Sequence, residues 1–192
     1  MNEYSITTYK GTEFDPFSKE IDIRIIARGL ARTGRFSGQG SEFYSVAQHS
    51  VALSYIMGLE NYSDETALIA LLHDSPDFLL GDIATPIRKH LKLVFYNGLY
   101  NNILYNFLSC FIEPYVDIQN MLENIISPFD KQLTLIEAST LNINTSDWYD
   151  PQYNVEPYKV NLLPIWTYRH AEERFMAKFT FLMTNIEKER EK

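Results

Sequence analysis

An all-α helical bundle in a single domain is what this sequence predicts, and three observations carry that expectation. Apolar residues recur at helical intervals in several stretches, beginning with Ile23, Ile26 and Leu30. The run TALIALLHD is apolar nearly all round, as a buried central helix must be. No stretch carries a convincing strand alternation or hairpin signal.

About twenty mixed residues, including Gly11 and Pro16, precede the first helical stretch. The glycines Gly34, Gly38 and Gly40 then make TGRFSGQGSEFYS a loop rather than a helix. Ser45 is placed to cap a helix from about Val46 to Met57, which Gly58 should end. Ser63 or Asp64 starts the buried helix, Pro76 closes or bends it, and GDIATP is a turn. Further helices run through about Phe111. Residues 118–142 form one or two helices, with a break expected at Ser127-Pro128. The stretch 142–163, polar and aromatic with two prolines, should be irregular. Ala171, Phe175, Phe179, Leu182 and Ile186 mark an amphipathic helix over about 167–190. With no repeat, low-complexity tract or linker, residues 1–192 read as one domain.

Composition narrows the classes of function. No apolar run approaches the roughly 20 residues that span a bilayer, and the polar start MNEYSITTYKG does not resemble a signal peptide. The single cysteine, Cys110, fits a reducing compartment, so the expected location is the cytoplasm. A net charge of -8 argues against a nucleic acid polymer as partner, since duplex binding draws on many cations. It leaves room for a small anion held by a few local cations and a metal.

The chemistry concentrates in four residues. His73-Asp74 ends the buried helix, where an imidazole and a carboxylate need partners or a metal. His49 has Val46, Leu53 and Ile56 on its helix face and so points to the core. Asp130 comes two residues after Pro128, with Leu133 and Glu137 at i+3 and i+7. Singly, each has an ordinary reading: a carbonyl-bonded helix-end histidine, a satisfied core histidine, a carboxylate favoured by the helix dipole. Together, two imidazoles and two carboxylates from three helices make a four-ligand site suited to Mn, Fe, Co or Zn, with Mg as a further candidate. Glu137 is either a partner of that site or a helix-face acid.

FYSVAQHS, LLHDSPDFLLGDIATPIRK and FDKQLTLIEASTL, in this order from about Ile21 to Leu141, resemble the successive signatures of HD-domain metal-dependent phosphohydrolases. The most similar branch is the small single-domain group of 5′-deoxynucleotidases and phage deoxynucleoside triphosphatases. The resemblance implies an HD-type helical bundle and a divalent metal held by His49, His73, Asp74 and Asp130. It implies acid–base roles for Asp77, which stands where the family usually has glutamate, and for Asp82, whose alternative is a turn cap. Substrate contacts fall on Arg35, Phe36, Pro86 and Arg88, against the alternatives of a solvated loop arginine and a solvated helix face. His90 and His170 lack surrounding signatures and are not expected to add ligands. The implied activity is hydrolysis of a deoxynucleotide phosphoester. A triphosphate such as dATP is preferred, because the Asp130–Glu137 spacing and the FDPF–IDI–FYSVAQHS opening look more like the phage-type group. A monophosphate 5′-nucleotidase and a non-catalytic nucleotide-binding module are the alternatives. The expected partner is a small nucleotide, with neither polymer nor membrane, and a homo-oligomer stays open.

Overall fold

The computed structural model describes residues 5–84, 87, 94–146, 148 and 164–192, and these are mostly helical. Helix α1 spans Ile23–Leu30, α2 Val46–Leu59, α3 Asp64–Leu72 and α4 Asp77–Leu80. Then come α5, Val94–Ser109, and α6, Ile118–Asn120. The latter runs through a π-helical stretch, Met121–Ile126, into α7, Ser127–Thr140. Helix α8, Tyr168–Arg190, closes the described chain. One small departure from the all-helical expectation is an antiparallel pair, β1 (Ile6–Thr7) and β2 (Glu13–Phe14). Two residues per strand are too few to leave an alternating pattern.

The caps agree with the sequence reading. The Ser45 hydroxyl accepts the Gln48 N–H, and the Ser63 hydroxyl accepts that of Thr66, which satisfies donors that a helix start leaves open. Gly58 does not end α2, which continues to Leu59. Asn61, at φ 59°, takes the left-handed conformation instead. The break expected at Ser127-Pro128 is also absent. Pro128 is the second residue of α7, directly after the π-helical stretch, whose altered hydrogen-bond spacing carries the chain past the proline without interruption.

Helix α3 is the centre. Every residue from Thr66 to Leu72 is buried, covered by α2, α8, the π-helical stretch and α5. Leu53, Ile56 and Met57 of α2 join it, with Phe107 of α5 and Phe175, Leu182 and Ile186 of α8. On the other flank α1 meets α4 so closely that a Cβ at Gly29 would fall 2.5 Å from Phe78 Cβ. This packing constrains the chain beyond Leu72. His73 to Pro76 must turn sharply within a covered interior, and Pro76 becomes the residue before α4.

Candidate metal centre

Three helices deliver the ligand-type side chains. His49 sits in the first half of α2 and is fully buried, as its spacing predicts. His73 caps the C-terminus of α3, and Asp130 lies in the first turn of α7. One ligand atom from each of these three can be chosen with all within 4.8 Å of one another. Asp74 is drawn in as well, its Oδ2 lying 3.2 Å from His73 Nε2 and 3.6 Å from His49 Nε2.

Both histidines are pre-set for ligation. His49 Nδ1 is 2.8 Å from Glu137 Oε1, and His73 Nδ1 is 2.8 Å from the Ala70 carbonyl. With those nitrogens donating outward, both Nε2 atoms face inward, 3.4 Å apart, and His49 Nε2 lies 3.1 Å from Asp130 Oδ1. Ligand atoms each about 2.1 Å from one ion stand at most about 4.2 Å apart, and the separations here run from 3.1 Å to the 3.9 Å between His73 Nε2 and Asp130 Oδ1, so the donors could share a single divalent cation.

Charge points the same way. Arg35 is 9% exposed, with Nη1 3.3 Å from Asp74 Oδ2 and Nε 3.1 Å from the wholly buried Glu137. Burial works against its charge, but Glu137, Asp74, Asp130 and Asp82 hold it protonated. With both histidines neutral, one guanidinium among four carboxylates leaves a local excess of negative charge, a field that favours either a bound cation or protonated imidazoles. Burial and Arg35 also oppose a charge on His49, yet Glu137 and Asp130 outweigh them and raise its pKa to about 9. His73 is shifted up too, burial being overcome by Asp74. Burial alone would raise Asp74, but His73, His49 and Arg35 hold it well below the usual carboxylate range. Asp130 is lowered against its burial mainly by the bond with His49. A proton on either Nε2 and a metal ion would compete for the same nitrogen.

The other expected residues divide by position. Arg35 is not a solvated loop arginine. Asp82 joins the cluster, accepting the Phe36 N–H, and burial pushes its pKa up even though Arg35 pulls it down. Asp77 is 2% exposed, in the first turn of α4. Phe36 is half-buried beside Arg35, whose guanidinium carbon is 5.4 Å from the ring centroid. Pro86 and Arg88 lie outside the described residues, as does His90. His170 is remote in role, paired loosely with Glu173 at 3.9 Å.

Several members were not foreseen. Thr134 accepts from Arg35 at 2.9 Å and donates to Asp130 at 3.4 Å, tying the two together. Its place one turn after Asp130 was a usable signal. Tyr100, on α5, donates to Asp74 Oδ1 at 3.3 Å, and nothing local in the sequence marks it. The buried Tyr44 phenol lies against Glu137, and burial together with that charge pushes its pKa well above the ordinary value.

No protein-family model matches the chain. An uncharacterized protein of Rhodobacter capsulatus is 41% identical over 78 residues, which cover 38% of this chain and 40% of that protein. The uncharacterized protein YfdR of Escherichia coli K12 is 38% identical over 89 residues, covering 45% of this chain and 47% of its own. The matched stretches thus span less than half of either relative, and neither name states an activity. Among the described residues no helix is long and apolar enough to cross a membrane.

Proposed function

We propose that this protein is a divalent-metal-dependent phosphohydrolase acting on a small deoxynucleotide. The observation that carries the reading is the convergence of two inward-facing Nε2 atoms with the carboxylates of Asp130 and Asp74, each histidine being oriented by a second hydrogen bond. A metal held there supplies Lewis acidity and a bound water of lowered pKa. Glu137 fixes the ring of His49, and the Ala70 carbonyl fixes that of His73.

Arg35 reaches Asp74 and Thr134 and so presents a guanidinium of fixed direction to a phosphoryl group at the cluster. Asp82 is the better placed of the two acid–base candidates. It is half-buried where Asp77 is enclosed, and its raised pKa brings it toward working pH. The deoxynucleotide class, and the preference for a triphosphate such as dATP, rest on the motif resemblance.

The test is a panel of deoxynucleoside mono- and triphosphates incubated with Mn²⁺, Co²⁺, Mg²⁺ or Zn²⁺, products being resolved by chromatography. A triphosphatase releases deoxynucleoside and tripolyphosphate, whereas a 5′-nucleotidase releases orthophosphate from monophosphates. Single- and double-stranded DNA should stay intact, since 17 basic residues against 25 acidic ones repel a polymer beyond the reacting phosphate. Stoichiometric metal without phosphate release on any substrate would reject the hydrolase.

A further inference from the structure

Two loops beside the metal centre are fastened to each other, and each carries an aromatic residue to the same place. The first is the loop after α1, containing Phe36; the second comes after α7 and contains Trp148. The Ser41 N–H donates to the Leu141 carbonyl at 2.9 Å, and Asn142 Nδ2 donates to Ser41 Oγ at 3.3 Å. Gly40 permits this approach, because a Cβ there would come 3.1 Å from Leu141 Cβ.

Both loops also use left-handed backbone without glycine. Phe36 has φ 55°, Ser37 φ 52° and Asn142 φ 57°. Such conformations are strained for Phe36 and Ser37 and milder for an asparagine, and they persist where surrounding structure enforces them. Here the Asp82 carboxylate accepts the Phe36 N–H, and the Phe36 carbonyl accepts the Gln39 N–H at 3.0 Å. On the other side Ser146 N donates to Asn144 Oδ1 at 3.0 Å, and Trp148 N to the Thr145 carbonyl at 2.9 Å. The outcome is a stacked pair, Phe36 and Trp148, with centroids 6.3 Å apart and planes 26° apart. Trp148 keeps 40% of its surface exposed.

We infer that Trp148 and Phe36 form a stacking platform for a planar heteroaromatic ring, making Trp148 a specificity residue for the base of the ligand. This rests on the nucleotide reading above. Continuity with the centre supports it: Arg35 lies over the Phe36 ring and bonds Asp74, so a ring on the platform places its phosphate end toward the cluster. The platform is apolar and flat, so it grips any π-face and distinguishes a nucleotide from a sugar phosphate that carries no base.

The experiment uses the full chain. The protein has two tryptophans, so Trp166→Phe leaves Trp148 as the sole indole reporter. Titration with dAMP should quench its fluorescence, whereas deoxyribose 5-phosphate should not. Trp148→Ala should weaken dAMP binding, by calorimetry, at least about fivefold, the low end for one stacked base. Metal content and deoxyribose 5-phosphate binding should stay as in the parent, and Trp148→Phe should recover most of the affinity. Unquenched fluorescence with dAMP, or equal dAMP affinity in Trp148→Ala, overturns the platform. Hydrolysis measured alongside keeps the two readings apart. Quenching without turnover of any nucleotide rejects the hydrolase and leaves the platform standing. Turnover that Trp148→Ala leaves unaltered in KM does the reverse.

Discussion

The body of α3 and its C-terminal end both lie largely away from solvent, yet they are stabilised by different physics. Ala67 to Leu72 are apolar and are held by area alone, with α2, α5, α8 and the π-helical stretch covering each side. One residue later, His73 and Asp74 are held by named partners: the Ala70 carbonyl, Arg35, Tyr100 and the opposing His49. Burial of apolar groups needs only a close fit, whereas burial of ionisable groups needs partners that must all be present together. The first kind tolerates changes of pH. The second responds to pH, to metal and to each neighbour.

The sharpest way to separate the two ends is to remove a ligand. His73→Ala or Asp74→Ala should lose bound metal on dialysis and lose phosphate release with it, while helical circular dichroism persists. Wild-type metal content and activity in both variants would break the assignment. Next comes Arg35→Ala, which takes the buried guanidinium from Asp74 and Glu137 and should lower unfolding stability by about 3 kcal/mol in denaturant titrations. Leu71→Ala, in the helix body, should cost about 2–5 kcal/mol through a cavity. The two should then differ in kind: added metal should leave the Leu71→Ala loss unchanged and alter the Arg35→Ala loss.

The pH response sharpens the contrast in metal-free protein. The His49 pKa is about 9 when folded and its ordinary value is 6.5, so the folded state binds the extra proton. That stabilisation is complete below about pH 6.5 and is lost as pH rises through about 9. Asp74 and Asp130 are depressed, so their contribution is present above the ordinary carboxylate value of 3.8 and is lost as pH falls below it. Melting temperature without metal should therefore decline from pH 6.5 to 9. Saturating metal should flatten that decline, because metal replaces the proton. A decline of equal size with metal bound would show that the cluster is not its source. The smallest expected effect lies at the other end of α3, where Ser63→Ala should cost about 1 kcal/mol at every pH.

The two regions were also unequally legible in the sequence. The body of α3 could be read outright, because only a fully covered helix accommodates TALIALLHD. The inward direction of His49 came from its spacing with Val46, Leu53 and Ile56. The partners were harder, since a network is assembled from chain-distant groups: Tyr100 lies 26 residues from Asp74, and Glu137 lies 88 from His49. Glu137 could be named but not placed. The glycines of the 33–45 loop announced irregular backbone, yet the left-handed positions fell to Phe36 and Ser37, whose conformation tertiary contacts enforce.

The π-helical stretch at Met121–Ile126 has a consequence for how this chain can change in length. A π turn accommodates one residue more than an α turn, and each residue advances a helix by about 100°. Glu123 and Asn124 are exposed, so substitutions there should pass almost unnoticed. Deleting either would let the stretch close to ordinary α-helix, and because the turn then holds one residue fewer over nearly the same angle, Asp130, Thr134 and Glu137 would keep their faces toward His49. Substitution and one-residue deletion thus meet the same fate at these surface positions. The same deletion within α7, between Asp130 and Glu137, is expected to erase the centre by turning Glu137 away from His49.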